Sequence, residues 1–307
     1  MTEAKAGAKT ILCAGGAVQD IVMRVERFPA AGAKVQASDV VTTIGGQGGN
    51  AAVAIAHLGA RVRYAGPIGA AEDAVASFVQ AALEREGIDC SGLVRVVGGT
   101  SSLSLILIDA AGEKTVTTRR GKNLNGVTPR DAGALVDGCD AVLLDNRYAD
   151  FTLPIAMAAK ARNLPRVLDF DRAAPPDDPL LLASTHVIAS ADALREATGQ
   201  QNLAEGLRAL ARHYRGFLAV TNGPEGVTWR DGDAVRHMDA FKVEAVDTLG
   251  AGDTFHGAFA LRLAETGDVV ESLRFASAVA AIKCTRFGGT TGAPKREEVE
   301  EYLTARR

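Results

Sequence analysis

The chain has 307 residues, of which 47% are hydrophobic and 23% charged, and its formal net charge is −3. This apolar content excludes a disordered chain, and the lack of a basic excess argues against nucleic acid and acidic membranes as partners. No stretch approaches the roughly 20 apolar residues that span a bilayer, and the polar N-terminus does not resemble a secretory signal. We therefore expect a cytoplasmic protein with reduced cysteines.

The first half of the chain mixes two kinds of pattern. Short apolar or β-branched runs predict strands, and alanine-rich segments stopped by glycine predict helices. In chain order, these are strands at Thr10–Gly15, Asp20–Val25 and Val35–Ile44, a helix at Asn50–Leu58, a strand at Arg61–Ala65, a helix at Asp73–Glu86, and a hairpin of Leu103–Asp109 with Lys114–Thr118.

Beyond Pro129, strands and helices alternate. The predicted strands are Ala141–Asp145, Arg166–Phe170, His186–Ala189, Phe217–Thr221 and a hairpin of Val227–Arg230 with Ala234–Met238. The predicted helices are Leu153–Arg162, Ala191–Thr198, Leu203–Tyr214, Asp253–Ala264, Val269–Thr285 and Glu297–Thr304.

This alternation predicts an α/β fold with a doubly wound, mostly parallel sheet. The strands near residues 20–44 and 97–120 do not follow it, and they predict a small antiparallel sheet attached at one edge. We expect residues 1–9 to form a flexible N-terminus and residues 10–307 to form one domain.

The most informative motif is Asp247–Phe259, DTLGAGDTFHGAF. Gly250 and Gly252 free the backbone to form a concave turn at a helix N-terminus, where unpaired N–H groups can hold an anion. A carboxylate at Asp253 would repel that anion, unless it accepts the proton of a hydroxyl that attacks phosphorus. On spacing alone, Asp253 could equally be the N-cap of the helix.

The complete string closely resembles the signature of the ribokinase/PfkB family of carbohydrate kinases. The resemblance implies a ribokinase-like fold and ATP-dependent phosphorylation of a primary hydroxyl of a ketose or furanose. It assigns the catalytic base to Asp253 and an anion hole to the backbone of Gly250, Ala251 and Gly252. Asp247 matches the residue that orders this loop and, in some members, a monovalent cation.

A second glycine-rich motif, Gly45–Asn50 (GGQGGN), separates a predicted strand from a helix. It formally matches a dinucleotide-binding fingerprint, but the next strand ends without the acid that would hold a ribose. The segment instead resembles the family's sugar-binding signature, in which Gly45, Gly46 and Asn50 contact substrate hydroxyls. The resemblance also implies that Asp20 binds two hydroxyls; its alternative is a plain turn residue.

Other positions carry the nucleotide and the metal in this resemblance. Thr221, Gly223 and Gly226 match a TxGxxG turn beside ATP. The family's Asn-x-x-Glu motif, which holds water on Mg²⁺, is replaced here by Ser190 and Ala193. We expect the aspartates that end the VLDFD strand to compensate; these are Asp169 and Asp171.

The resemblance is strongest to the ketohexokinase and bacterial sulfofructose kinase branches. It implies 6-deoxy-6-sulfofructose or fructose as substrate, and it places Lys34, in the small sheet, and Arg147 at anion-binding positions; the alternative for both is solvated surface charge. In the family the small sheet acts as a lid that often pairs into homodimers. Two alternatives remain: a nucleoside or other sugar kinase of the same fold, and a catalytically silent sugar-binding regulator.

Overall fold

The computed structural model describes residues 7–306. The strands in chain order are β1 Thr10–Ala14, β2 Val18–Arg24, β3 Asp39–Gly45, β4 Arg61–Ile68, β5 Asp89–Arg95, β6 Ser102–Ile108, β7 Lys114–Arg119, β8 Ala141–Asp145, β9 Arg166–Phe170, β10 His186–Ser190, β11 Phe217–Thr221, β12 Val227–Asp231 and β13 Ala234–Met238. The helices are α1 Gln47–His57, α2 Ala74–Arg85, α3 Ala132–Val136, α4 Ala149–Ala161, α5 Pro179–Ala183, α6 Ala191–Thr198, α7 Leu203–Leu210, α8 Ala251–Thr266, α9 Val269–Cys284 and α10 Arg296–Thr304.

Nine strands form the large sheet, in the order β13-β12-β11-β10-β9-β8-β1-β4-β5. The seven strands from β11 to β5 run parallel, and the β12–β13 hairpin is antiparallel at one edge. From β1 the chain adds β4 and β5 on one side, and β8 to β11 follow on the other. The strand order therefore reverses between β1 and β8, and in such sheets ligands bind at the carboxyl ends of the strands beside this reversal.

Helices cover both faces of the large sheet, which confirms the predicted doubly wound fold. The central strands are apolar along most of their length because both of their faces are buried. In β1, Ile11 and Cys13 point to one layer, built on α1, α2, α8, α9 and α10. Leu12 and Ala14 point to the opposite layer, built on α3 to α7. Two packed layers hold the carboxyl ends of the strands rigidly in place.

Four strands form a second, smaller sheet in the order β3-β2-β6-β7, which we call the lid sheet. Its two outer pairings are antiparallel, as expected for the predicted small sheet, but β2 and β6 at its centre run parallel. Its inner face holds a small apolar cluster of Val22, Ile106 and Ile108, which packs against Leu249 and Phe287 of the main body.

Several boundaries differ from the predictions. The predicted strand at Val35–Ile44 begins only at Asp39, and residues 35–38 belong to the preceding loop. Helix α4 begins at Ala149 and carries Pro154 inside it. Strand β5 and the short helices α3 and α5 were not predicted; the sequence of β5, DCSGLVR, contains Asp, Ser and Gly, which are rare in strands.

The N-terminus is only partly described, because residues 1–6 of the predicted flexible segment 1–9 lie outside the described residues. Lys9 is held in place, since its Nζ donates to Asp140 at 2.9 Å and its carbonyl accepts from Arg61. Within residues 7–306, no helix is long and apolar enough to cross a membrane.

Candidate active site

A buried carboxylate organises the crevice where the strand order reverses. Asp145 ends β8, and it accepts hydrogen bonds from the backbone N–H groups of Gly16 at 2.7 Å, Gly48 at 3.2 Å and Arg147 at 2.9 Å. It thereby joins the loop after β1, the start of α1 and the loop after β8. A side chain at Gly15 would collide with this carboxylate, so glycine is required there.

The glycine turn before α8 forms one wall of the crevice. Gly250 is the N-cap of α8, with a φ of 71° that favours glycine, and no side chain caps the helix. The alternative in which Asp253 is the N-cap is therefore wrong. The first N–H groups of a helix have no intrahelical acceptor. Those of Gly252 and Asp253 are thus available to an anion, as is the partial positive charge of the helix N-terminus.

Asp253 lies in the first turn of α8 and is positioned by a short hydrogen-bond chain. Asn50 Nδ2 donates to Asp253 Oδ2 at 2.6 Å, and Thr290 Oγ1 donates to Asn50 Oδ1 at 2.8 Å. Burial, together with the charges of Asp171 and Asp145, raises the pKa of Asp253 to about 6, whereas the Asn50 hydrogen bond opposes the shift. A carboxylate with this pKa is ionised at neutral pH and basic enough to accept a proton.

The inner face of the lid sheet presents a polar row across all four strands. The residues in register are Thr43, Asp20, Ser104 and Thr118. Ser104 and Thr118 share a hydrogen bond of 3.1 Å between their hydroxyl oxygens. Burial raises the pKa of Asp20 to about 6, although Ser104 lowers it by hydrogen bonding, and the charge of Asp253 contributes to the rise. The two carboxylates therefore interact across one crevice, and Asp20 is a buried strand residue, not a plain turn residue.

Two predicted glycines make room for these groups. A side chain at Gly45 would collide with the Asp20 carboxylate on the neighbouring strand. Gly46 has a φ of 81°, and a Cβ there would lie 2.7 Å from the Gly16 carbonyl oxygen. Gly46 is also the N-cap of α1, so the predicted helix starts three residues earlier than Asn50 and carries Asn50 in its first turn.

Asp247 fixes the loop that leads into the glycine turn. Its Oδ1 accepts from Leu249 N at 2.7 Å, and its Oδ2 accepts from the backbone N–H groups of Gly288 at 3.0 Å and Gly289 at 2.9 Å. The side chain of Lys283 is fully buried beside it. These contacts tie the loop to the glycine pair after α9, and the functional role of Asp247 stays a prediction.

The residues expected beside ATP lie at the carboxyl end of β11. Thr221 ends that strand, and Gly223 opens a short 3₁₀ turn with a φ of 52°. Gly226 has a φ of 97°, and any side chain there would collide with the backbone after β13. This turn is two strands away from β9, on the same edge of the sheet as the crevice.

The two aspartates expected at the metal have different surroundings. Asp169 is buried and its Oδ1 has no hydrogen-bond partner, whereas Asp171 is exposed just after β9. Burial raises the pKa of Asp169 well above its usual value, and the charges of Asp253 and Asp171 add to this. Within residues 7–306 no three acidic, His or Cys side chains form a complete metal site. Asp169 and Asp171 therefore fit a Mg²⁺ ion that is held mainly by water and phosphate oxygens.

The two predicted anion-binding residues differ in placement. Arg147 is half-buried at the crevice, since a Cβ on Gly16 would lie 3.2 Å from its Cγ. Lys34 was expected in the small sheet, and this is wrong: it lies on the exposed loop between β2 and β3, because β3 starts late.

Sequence reasoning missed three contributors. Asp145 could have been found, because it ends a buried strand, and Asp169 lies one residue before the end of the next one. Thr290, which holds Asn50, and Lys283, which lies against Asp247, gave no signal. A lysine is almost never fully buried, so no pattern predicts a buried one in the last turn of a helix.

Known proteins resemble this chain over nearly its full length. Residues 8–296 match the profile of the pfkB family of carbohydrate kinases. A ribokinase of Bacillus subtilis is 30% identical over 300 residues, which cover 96% of this chain and 100% of that protein. The comparisons do not confirm the ketohexokinase or sulfofructose kinase branch.

Solved structures show the same fold. A putative ribokinase from Agrobacterium tumefaciens superimposes with a TM-score of 0.92 at 36% identity, covering 97% of this chain and 98% of that one. The ribokinase of Arabidopsis thaliana, complexed with ribose and ATP, gives a TM-score of 0.82 at 26% identity, covering 96% and 99%.

Proposed function

The chain belongs to the pfkB family of carbohydrate kinases, and from that premise we propose that it transfers the γ-phosphoryl group of ATP to a primary hydroxyl of a furanose sugar. The observation that carries this proposal is the shared crevice of Asp253 and Asp20. Asn50 donates to Asp253, and the charge of Asp253 raises the pKa of Asp20. A sugar bound at the lid sheet would thus lie beside a base at a helix N-terminus.

In this mechanism Asp253 Oδ accepts the proton of the attacking hydroxyl as the oxygen approaches phosphorus. The Asn50 hydrogen bond holds the carboxylate in one orientation. The backbone N–H groups of Gly252 and Asp253 stabilise the charge on the transferred group. The Ala251 N–H instead donates to Thr248 O at 3.3 Å within the turn. When bound, Mg²⁺ would neutralise charge on the phosphates, and Asp171 and Asp169 are the residues placed to hold its water.

The nucleotide would lie along the carboxyl ends of the strands on the α8 side. We assign its binding to the turn at Thr221, Gly223 and Gly226, and to the loop that Asp247 fixes. The phosphate end must reach the start of α8, because the anion hole lies there. The lid sheet would exclude water from this space and so prevent hydrolysis of ATP.

The polar row of the lid suits a neutral polyol. Asp20 can accept one O–H on each carboxylate oxygen, which matches a pair of adjacent hydroxyls. The row contains no cation, which favours a neutral sugar over an anionic one at these four residues. Ribose is the first substrate to test, since relatives over the full chain are named ribokinases and one is complexed with ribose.

Arg147 supports a second candidate, a sugar with an anionic group at the far end. Its guanidinium fork would suit a sulfonate or a phosphate. Sulfofructose and fructose therefore stay in the panel. Lys34 could join this contact only if its exposed loop folded over the crevice.

The outer face of the lid sheet supports a homodimer. Ile21, Met23, Leu103, Leu105 and Leu107 share this face, with Leu105 43% and Val40 57% exposed. An apolar sheet face of this kind is costly in water. A second copy of the lid would cover it.

The test is ADP release from a panel of ribose, deoxyribose, fructose, sulfofructose, a sugar phosphate and a nucleoside. We expect one furanose to give the highest kcat/KM, with the Asp253→Asn variant as the inactive control. Preference for the nucleoside would favour a nucleoside kinase. Binding of a sugar without turnover would favour the silent regulator and contradict the proposal.

A further inference from the structure

Lys283 is a fully buried lysine at the last turn of α9. Its Nζ donates to the Asp247 carbonyl oxygen at 2.8 Å and lies 3.5 Å from Asp247 Oδ2. Removing an ammonium group from water is unfavourable unless good contacts offset it. Burial lowers the pKa of Lys283, while the charge of Asp247 and its hydrogen bond oppose this. An apolar side chain would fill the same space without that cost, so the charge itself needs an explanation.

The contacts of Asp247 supply one. Its backbone N–H donates to Cys284 O at 3.1 Å, its Oδ1 accepts from Leu249, and its Oδ2 accepts from Gly288 and Gly289. One residue thus joins the end of α9, the glycine pair after it and the loop that enters α8. All of these partners to its carboxylate are neutral N–H groups. Lys283 brings the only full positive charge within ion-pair distance of this carboxylate among the described residues.

This junction controls the glycine turn. Leu249, which donates to Asp247, directly precedes the N-cap Gly250. The N–H groups of the anion hole, on Gly252 and Asp253, follow two and three residues after Gly250. A shift at Asp247 would therefore move the N–H groups that face the phosphoryl group. Leu249 also packs under the lid sheet, so the same loop contacts both walls of the crevice.

We propose that Lys283 is a positioning residue that acts as a resident cation beneath the anion hole and takes the place of a free monovalent cation at Asp247. The inference rests on the proposed role of the Gly250–Asp253 turn. A free cation at Asp247 would need its carbonyl and carboxylate oxygens, and the Lys283 ammonium already binds the first and neutralises the second. The neighbouring Cys284 carbonyl accepts from the backbone N–H groups of both Val246 and Asp247. The residues present therefore do not fit a monovalent-cation site.

The experiment compares cations in the wild-type protein and in two variants. Wild-type turnover should be equal, within about twofold, in potassium chloride and in tetramethylammonium chloride, since the latter ion is too large for such a site. The variant Lys283→Ala leaves a cavity with two oxygen atoms, and its kcat should fall roughly 10- to 100-fold because the anion hole is misplaced. Ammonium or potassium ions should restore part of this loss. In the variant Lys283→Met the new side chain fills the cavity, so ammonium or potassium ions should not restore its kcat.

A second readout does not depend on catalysis. The thermal midpoint of Lys283→Ala should rise in ammonium chloride relative to tetramethylammonium chloride, and that of Lys283→Met should not. Ile282→Ala, a core substitution at the neighbouring position, is the matched control; it should lower stability without any cation effect.

Stimulation of the wild-type protein by potassium of about tenfold or more, or a folded Lys283→Ala variant with wild-type turnover, would overturn the inference. So would the absence of any cation effect on both turnover and thermal midpoint in that variant. An inactive wild-type protein would contradict the proposed kinase instead, and the thermal midpoints would still test the resident cation.

Discussion

The two walls of the crevice differ in how they are supported. The start of α8 rests on the large sheet, where Asp253, Asn50 and Thr290 form a bonded chain and two thick apolar layers lie behind. The lid sheet is a single layer whose inner cluster consists of three buried residues and whose outer face is partly exposed. In the proposed mechanism, the groups that perform chemistry lie on the rigid wall, and Asp20, which would bind the sugar, lies on the deformable one. Changes on the first wall should act mainly on kcat, and changes on the second mainly on KM.

The largest effect should come from Asp253→Asn on the rigid wall. Loss of a general base lowers kcat by about 10²–10⁴-fold, and KM for the sugar should change little. Because burial raises the pKa of Asp253, its charge opposes folding at neutral pH, and the variant should be more stable by about 1 kcal/mol. Steady-state kinetics and urea unfolding check both. If kcat fell and KM rose by the same factor, the proposed division between a catalytic wall and a sugar-binding wall would be contradicted.

On the lid, Gly45→Ala should raise KM for the sugar by roughly 10- to 100-fold, because its methyl group displaces the Asp20 carboxylate and its hydrogen bonds. The effect on kcat should be smaller. In an Asp20→Ala background the same substitution should have little further effect, since the collision is gone. Additive losses in this double-mutant cycle would show that Gly45 acts through something other than Asp20.

The pH profile links the two walls. Burial raises the pKa of both Asp253 and Asp20 to about 6. Both carboxylates are needed ionised, so kcat/KM should be level above neutral pH and fall about tenfold or more per unit below pH 6. In the Asp20→Asn variant, only Asp253 titrates in this range, so log(kcat/KM) should fall with a slope of one as the pH decreases. A wild-type profile that stays level down to pH 4.5 would contradict the role of both groups.

Arg147→Ala tests the far end of the crevice. If the substrate carries a sulfonate or phosphate there, KM for it should rise about tenfold through loss of a charged hydrogen bond, with fructose or ribose unaffected. Lys34→Ala is the matched control. Because Lys34 lies on an exposed loop, its substitution should change KM for the charged sugar much less. Equal effects of Arg147→Ala on charged and neutral sugars would remove it from anion binding.

The smallest effect on catalysis should come from Leu105→Asp on the outer lid face. A buried charge should separate a lid-to-lid dimer, while kcat should stay within about twofold if each crevice is complete in one chain. Light scattering and steady-state assays measure the two quantities. An unchanged mass would show that this face does not form the dimer.

The sequence predicted the rigid wall better than the lid. Runs such as Ala141–Asp145 are buried on both faces, so their apolar pattern marks them clearly. The motif from Asp247 to Phe259 is local in the chain, and its glycine turn followed directly. Strand β3 begins with exposed residues whose pattern does not differ from that of the preceding loop, so its start was placed too early and Lys34 was misplaced with it. The Asn50–Asp253 bond joins residues 203 positions apart, and spacing alone cannot reveal such a contact.

The parallel pairing of β2 with β6 has a consequence for how this protein can form and change. Parallel neighbours need a long crossover, and here the chain passes through α1, β4, α2 and β5 between the two halves of the lid. The lid sheet is thus built from two separate stretches of the chain, β2–β3 and β6–β7. We expect β2 and β6 to pair only after β4 and β5 have joined the large sheet. Assembly of the lid sheet should be a late folding event. Exchange of the lid between relatives would require two coordinated insertions, so altered substrate preference should arise more readily by point substitution along the polar row.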